Sequence, residues 1–562
     1  MTEALLIVAL VFGPLAHGCT EQWSLPVLQI LLLSLTLFGR REPRGPGWSG
    51  AFLLGPALFI LLLGTLQWLH PVPMDGLSSC LPFTASQRET GKALVLWAGF
   101  CCLLWAGPRM LSKPGAKERL GWALVLIAVL VAVVGMIQLS QGNTLVYGLR
   151  KAAYNRSPFG PYFNRGHAAS LMAVCLAAGM GLLASRQASR GRRLDQGMRP
   201  SDFFASQATL AMLLAVIGAG IVLARNRGAV LGLALACAGV GFWACGFLRS
   251  WSGRWALRTF LVLLPMALAA AIMHWPEALG FPNGLGENSV TWRAGMYSGA
   301  WRLFADFPVW GSGLGAVLGA FPGYKPSVVA GVVDHVHSDW LELLLQVGVV
   351  GTLAVLAGLL AMVVRFWKRS RELSSEELFL EAGALGGVLA FMAHSAIEFS
   401  FQIPANAVVF LTLLCWLAVE RPRDEEGGEE RTERQRHAPG WQVWGVRTLV
   451  LGLMLASLYP VIGYGYALKA MRRPPSERFG LLEKSYRWDP DPVTAYELGF
   501  QRIMNADKHP KGRTAALREG LAFTREALRR EPLNPFLTRL QGTFLSGLGR
   551  QQDADPMLSV RP

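Results

Sequence analysis

Apolar runs recur along most of the chain, and thirteen of them are candidate membrane spans, because the hydrocarbon core of a bilayer is ~30 Å thick. The runs lie near residues 3–18, 25–39, 50–69, 92–108, 120–140, 166–184, 203–223, 228–247, 258–275, 338–364, 379–398, 404–420 and 443–466. The first run lacks a preceding basic segment and a second run follows it at once, so we expect a retained helix rather than a cleaved signal peptide. The pattern predicts an all-α, polytopic membrane bundle of about 12–13 transmembrane helices.

The pattern changes after the last apolar run, where residues 467–562 are polar, rich in helix-forming residues and without a span. Two stretches there resemble each other, and each is predicted to form a helix, a proline-containing turn and a second helix. Their prolines Pro490 and Pro532 lie 42 positions apart, against ~34 in a tetratricopeptide repeat, a difference that an insertion within 505–516 would explain. The region resembles a small, degenerate tetratricopeptide module, with a generic helical hairpin as the alternative.

These changes of pattern divide the chain into five predicted parts. They are the N-terminal transmembrane helices (1–140), a transmembrane core (141–420) with a long external loop (276–337), a cytoplasmic linker (421–442), a last transmembrane helix (443–466) and an external helical module (467–562).

Composition and charge exclude several classes of protein. Hydrophobic residues make up 52% of the chain and charged residues 16%, against ~25% in a soluble protein, so neither a disordered chain nor a mainly soluble enzyme fits. The net charge of +16 arises in predicted loops, and with a cytoplasmic N-terminus the inner loops hold 23 Lys and Arg and the outer loops 10. The basic runs therefore indicate topology, and we expect no nucleic-acid partner. No outer cluster of His and carboxylates has ligand spacing, so we expect no metal and no cofactor.

The most informative segment of the predicted outer side begins at residue 334 and leads into a membrane helix. Ser338 is a predicted helix cap, and Asp339, Glu342 and Gln346 then share one polar face. A polar face within a membrane helix must look into the bundle or a cavity rather than into lipid. His337 stands at the water boundary just before this helix.

The spacing of this segment resembles the signature of a known family. His337 and Ser338 are followed by nine residues, Gly348, two residues, and Gly351 with Thr352. This pattern resembles that of the O-antigen ligase/polymerase family of membrane glycosyltransferases, which also contains bacterial protein O-oligosaccharyltransferases. The two glycines also permit close packing of helices.

Two further segments agree with this resemblance, which covers roughly residues 150–420. Residues 225–229 resemble the family's Ser-Arg-Gly-Ala stretch, with Asn226 where Ser is usual. Trp292 and Arg293, followed by a helix and the run PVWGSGLG, resemble the stretch that precedes the family's histidine.

The chemistry of such a transfer is coherent in physical terms. A lipid pyrophosphate is a good leaving group that needs cationic stabilisation, which the planar fork of Arg provides, and an acceptor hydroxyl needs a base, which His provides. The resemblance implies that His337 is the base, that Arg227 and Arg293 bind the pyrophosphate, and that no metal takes part. Arg225 is a close competitor for Arg227.

Several of these residues have alternative interpretations. His335 is a second candidate for the base, and His337 could be only a capping residue. Arg293 lies within 289–304, whose apolar stripe is typical of an interfacial helix, and could contact lipid headgroups. Glu398 resembles a late acidic position of the family, and could equally be the ion-pair partner of an active-site Arg.

The sequence therefore predicts a multi-pass enzyme of the bacterial inner membrane with its site on the periplasmic face. Its donor would be a polyprenyl-pyrophosphate-linked glycan, transferred with inversion to lipid A core, another lipid-linked glycan or a protein hydroxyl. Membrane lipids are expected partners, and polysaccharide assembly proteins could bind residues 467–562. The alternatives from other classes are a polyprenyl-glycan transporter and a non-catalytic scaffold of an export assembly.

Overall fold

The structure, a computed structural model, describes residues 1–38, 51–70, 81–142, 144–151, 157–244, 286–329, 331–419, 440–508 and 512–560. The helices within these ranges are α1 (Thr2–Leu15), α2 (Ser24–Phe38), α3 (Ala51–Leu69), α4 (Gln87–Leu111), α5 (Ala116–Ser140), α6 (Arg165–Ala188), α7 (Arg190–Asp195), α8 (Pro200–Leu223), α9 (Arg227–Ala244), α10 (Gly286–Asp306), α11 (Val317–Ala320), α12 (Asp339–Arg369), α13 (Ser375–His394), α14 (Pro404–Leu417), α15 (Gly440–Met471), α16 (Phe479–Trp488), α17 (Pro492–Lys508), α18 (Arg513–Arg530), α19 (Pro535–Gly547) and α20 (Gln551–Leu558). Four 3-10 turns occur at His17–Cys19, Phe321–Tyr324, Ser370–Glu372 and Pro475–Glu477, and a two-stranded hairpin pairs β1 (Leu145–Val146) with β2 (Arg150–Lys151).

The helices confirm an all-α, polytopic membrane protein. Eight helices of the described ranges are long and apolar enough to cross a bilayer, namely α3, α4, α5, α6, α8, α12, α13 and α15. Four shorter apolar helices, α1, α2, α9 and α14, coincide with further predicted spans. The predicted span at 258–275 and most of the predicted linker 421–442 lie outside the described residues, as does the start of the predicted loop 276–337. The proposed limits of the five parts stay predictions.

The ends of the apolar helices lie at two sides of the bundle. At one side, Arg119 at the start of α5 binds Glu3 at the start of α1. At the other side, Tyr147 donates a hydrogen bond to the carbonyl of Leu15 at the end of α1, with an O–O distance of 2.6 Å. We call this second side, where α4, α6 and α12 begin, the site side.

The core of the bundle is built from closely packed small residues and buried aromatic rings. Gly181 of α6 and Gly383 of α13 face each other so closely that a Cβ on either would overlap the other backbone. Such small residues let membrane helices approach, because dispersion contacts rather than the hydrophobic effect hold them together in lipid. Trp416 of α14 is fully buried in the same core.

Helix α12 is broken at Gly348, where the segment before it crosses. Gly348 has φ 64° and ψ −168°, a conformation open only to glycine, and a Cβ there would overlap the carbonyl of Val309. Gln67 at the end of α3 fastens this crossing, because its side-chain NH₂ donates to the carbonyls of Trp310 and Gln346 over 2.7 Å and 3.0 Å. Gly348, which was predicted to permit close packing of helices, is instead a break in α12 against which the non-helical segment 309–311 packs.

The last five helices, α16 to α20, form a separate cluster that rests on the site side. Arg88 in the first turn of α4 binds both carboxylate oxygens of Asp489, with N–O distances of 2.5 Å and 2.6 Å. Ser86 donates to the carboxylate of Glu531 over 2.5 Å. The two stretches that resemble each other fold as α16 with α17 and as α18 with α19, and their assignment as tetratricopeptide repeats stays a prediction.

Candidate active site

His337 lies at the entrance to α12 in a strained, left-handed backbone conformation with φ 51°. Ser338 caps the helix as predicted, because its side chain accepts from the N–H of Leu341. The imidazole is partly exposed and stands between the rings of Trp292 and Phe399, with centroid distances of 5.5 Å and 4.7 Å. These contacts orient the side chain at the water boundary, where the sequence placed it.

Glu398 lies beside His337 in the loop that joins α13 to α14. Its Oε2 is 3.4 Å from Nδ1 of His337, a distance for an ion pair, and its Oε1 accepts a hydrogen bond from Nη2 of Arg293 over 3.2 Å. Burial raises the pKa of this carboxyl, but the facing imidazole of His337 outweighs burial and holds the pKa at about 2. Glu398 is therefore ionised and touches both the predicted base and one of the predicted pyrophosphate ligands.

His335 has a separate partner. Its Nδ1 is 2.7 Å from Oε1 of Glu342, a fully buried carboxylate of α12, and its ring stacks on Phe399. Burial lowers the pKa of His335, but the charge of Glu342 raises it, to about 9 overall. The imidazole of His335 is thus protonated at neutral pH and does not have a lone pair for taking a proton.

The loop that carries Glu398 is held by Asp339, the first residue of α12. Oδ2 of Asp339 accepts from the hydroxyl of Ser395 over 2.6 Å and from the N–H of Phe401 over 2.8 Å. Its own N–H donates to the carbonyls of Ser395 and Glu398 over 2.9 Å and 3.1 Å. The polar face predicted for α12 is buried as expected, but the pattern could not show that it holds a loop 56 to 62 positions away.

The predicted basic segment forms the short turn between α8 and α9. Asn226 caps α9 by accepting from the N–H of Ala229 over 2.8 Å, and the same oxygen lies 3.2 Å from Nε2 of His394. Asn, like Ser, is among the residues that cap helices best, so Asn226 suits this position. Arg225 and Arg227, on either side of Asn226, have exposed side chains.

The turn 225–227, which we call the basic turn, lies beside His337 and its neighbours Glu398 and Arg293. His394, four positions before Glu398, packs against Gly228 and links the two through Asn226. The guanidinium of Arg165, at the start of α6, is close enough to those of Arg225 and Arg227 to repel them and to Glu398 to attract it. The sequence pattern shows neither this proximity of Arg165 nor the linking role of His394.

A cavity of about 290 Å³ opens beside the basic turn. Its lining is partly apolar and carries two arginines, and consists of Leu139, Gly142, Thr144, Ser157, Pro158, Phe159, Arg165, Leu223, Ala224 and Arg225. In the described part of the chain, no three His, Cys, Asp or Glu side chains are grouped as metal ligands would be.

The structure thus brings His337, Arg293 and Glu398 into contact, places Arg225 and Arg227 next to them, and turns His335 aside toward Glu342. A family model described as O-antigen ligase matches residues 210–356, a stretch that runs from α8 through the basic turn and Arg293 to the middle of α12. Among curated proteins, none matches this chain.

Proposed function

We propose that this chain, whose segment 210–356 matches the O-antigen ligase family model, transfers a glycan from a polyprenyl-pyrophosphate donor to an acceptor hydroxyl. The site side would face the periplasm of a bacterial cell, and the acceptor would be lipid A core or a growing polysaccharide. A protein hydroxyl is the alternative acceptor.

The contact of Glu398 with both His337 and Arg293 carries this proposal. A carboxylate that faces Nδ1 holds a proton on that nitrogen and leaves the lone pair of Nε2 for the acceptor hydroxyl. The same negative charge stabilises the imidazolium that forms when the base has taken a proton. His335 is a poor candidate for the base because Glu342 keeps it protonated.

The arginines fit a pyrophosphate. Arg165 lies close to Arg225, Arg227 and Glu398, and Arg293 binds Glu398, so several guanidinium groups gather at one place and would attract an anion. Guanidinium groups bind phosphate oxygens in pairs of hydrogen bonds, and these bonds strengthen as negative charge develops on the leaving group.

The proposed reaction is one direct displacement. The acceptor oxygen gives its proton to Nε2 of His337 and bonds to the anomeric carbon, while the bond between that carbon and the pyrophosphate oxygen breaks. The electron pair leaves with the polyprenyl pyrophosphate, which the arginines stabilise, and the anomeric configuration inverts.

The decisive experiment is transfer in vitro from a purified lipid-linked glycan, with candidate acceptors supplied in turn. We expect His337→Ala to lower the rate by about 10²–10⁴, as is typical for loss of a general base, at an unchanged protein level in the membrane. His335→Ala is the matched control and should keep most of the transfer rate. A dead His335→Ala with an active His337→Ala would place the base at His335, and full activity of both variants would exclude these two histidines as the base.

A further inference from the structure

The helix that leads into the C-terminal cluster turns back on itself. α15 runs from the opposite side of the bundle to the site side, and α16 returns along it in the reverse direction. Leu482 of α16 shares a small apolar cluster with Ala470, and Asp489 packs against Gly463. Trp488, the last residue of α16, contacts the ring of Tyr459 at a centroid distance of 5.5 Å.

The depth of this hairpin in the membrane follows from its contact with α4. Arg88 lies in the first turn of α4, four positions before the apolar run 92–108, so we place it at the headgroup boundary on the site side. Asp489 binds Arg88, so Asp489 and the neighbouring Gly463 lie at the same boundary. Tyr459 precedes Gly463 by one helical turn and lies about 6 Å deeper, because an α-helix rises about 1.5 Å per residue.

The side chains exposed at this level are aromatic, apolar and basic. Tyr459 is 51% exposed, Trp488 40% and Val493, at the start of α17, 74%. Lys484 and Arg487 are exposed too. They precede Trp488 by four and one positions, so Lys484 and Trp488 lie on one face of α16 with Arg487 at its edge.

We propose that these five residues form a lipid-binding surface that seats the C-terminal helices on the membrane surface of the site side. Tyr and Trp rings prefer the headgroup region, because one part of each is apolar and the other forms hydrogen bonds. Val493 would be buried in the headgroup region at the same depth. The long side chains of Lys484 and Arg487 would reach the lipid phosphates from the water side of that region. The occupant is the lipid surface, because the exposed patch continues directly from the membrane-embedded wall of α15.

The test measures the depth of a spin label in the full-length protein, reconstituted in nanodiscs that contain an anionic phosphatidylglycerol. A nitroxide is attached to Val493→Cys, and the control is Gly480→Cys, an exposed position in the first turn of the same hairpin helix α16. The parent protein, treated with the same label, gives the background signal from spin label on the native cysteines. We expect collision with lipid-soluble oxygen, relative to a water-soluble nickel chelate, to be several-fold higher at 493 than at 480.

A label at 493 that is as accessible to the nickel chelate as the label at 480 would overturn the proposal. The five exposed residues would then be a surface for a protein partner or for a second copy of this chain. The double variant Lys484→Glu, Arg487→Glu tests the role of charge. It should lower the oxygen preference at 493 in anionic nanodiscs, and an unchanged preference would show that the basic residues do not bind the lipid. Neither measurement depends on glycan transfer.

Discussion

Glu398 connects the two kinds of chemistry in the site, since one of its oxygens faces the imidazole of His337 and the other accepts from Arg293. The strongly lowered pKa of Glu398 means that the carboxylate keeps its charge throughout the physiological range. Its charge, rather than its shape, is therefore the property that a substitution should test.

Replacement of Glu398 by Gln keeps the size of the side chain and removes its charge. We expect the transfer rate to fall by about 10²-fold or more, because the amide neither orients His337 in one tautomer nor stabilises its imidazolium. Initial rates in isolated membranes, normalised to protein level, measure the effect. Glu398→Asp is the control that keeps the charge and should retain part of the rate. Equal activity of the Gln variant and the parent would contradict the role assigned to Glu398.

His335 should make the stability of the protein depend on pH. Its pKa is raised in the folded protein from an ordinary 6.5 to about 9, because the attraction of Glu342 outweighs burial. The ion pair therefore stabilises the fold fully below pH ~6.5, and this contribution is lost as the pH rises through 9. Thermal unfolding in detergent should show a falling midpoint between pH 7 and 10. The unfolding midpoint of His335→Gln should decline less over this pH range. Parallel curves for the variant and the parent would contradict a stabilising ion pair between His335 and Glu342.

At the scale of secondary-structure elements, the break in α12 shapes the site because it lets the segment 309–315 cross the helix. Ser312 at this crossing accepts from the N–H of Ala85 over 2.8 Å and donates to the carbonyl of Leu345 over 2.7 Å. The crossing thus ties α12, which begins at the site, to the segment that precedes α4.

Gly348→Ala should destabilise the protein, because its backbone conformation is closed to other residues and the new methyl group would overlap the carbonyl of Val309. Such strain costs about 1–3 kcal/mol, and the overlap adds to it. Thermal aggregation in detergent measures the loss. Leu353→Ala, at an exposed position of the same helix, is the control and should change little. An unchanged midpoint for Gly348→Ala would mean that the crossing can relax.

The elements show which features a sequence can predict. Apolar runs predicted twelve of the helices, and the Ser338 cap followed from a local rule about hydroxyl groups, whereas the break at Gly348 was not predicted. The loop contacts of Asp339 could not be predicted from the sequence, since periodicity gives the face of a helix but not the partner that another part of the chain brings to it. The pairing of Glu398 with Arg293 was foreseen only as an alternative, because it depends on how α10 and α13 approach.

At the scale of the whole molecule, buried ion pairs join the C-terminal helices to the bundle. Arg88 and Asp489 exclude water almost completely from their contact. Burial raises the pKa of Glu531 to about 8, so this carboxyl is largely protonated at neutral pH where it meets Ser86. The cluster is therefore docked at two points on the segment that precedes and begins α4.

Asp489→Ala should weaken this docking, because it removes the bidentate partner of the buried Arg88, which keeps its contacts with Glu89 and Asp491. Loss of a hydrogen bond to a charged group costs about 1.5–3 kcal/mol. We expect faster tryptic cleavage after Arg472, in the segment between α15 and α16. Asp553→Ala removes an exposed ion pair with Arg550 from the same cluster and is the control. Equal cleavage of the two variants would show that the apolar contacts alone hold the cluster in place.

The position of Glu398 has a consequence for how the molecule can be divided. The segment that bears the family pattern ends at residue 356, yet the carboxylate that faces His337 lies beyond it, and Arg165 lies before it. An excised piece spanning 210–356 would therefore contain His337, the basic turn and Arg293, and still lack Arg165 and Glu398, two of the five charged groups around the site. Domain swaps between related enzymes would have to exchange α6, the basic turn, α10 and the α13–α14 loop together, because the working unit is a set of helix ends and not a stretch of chain.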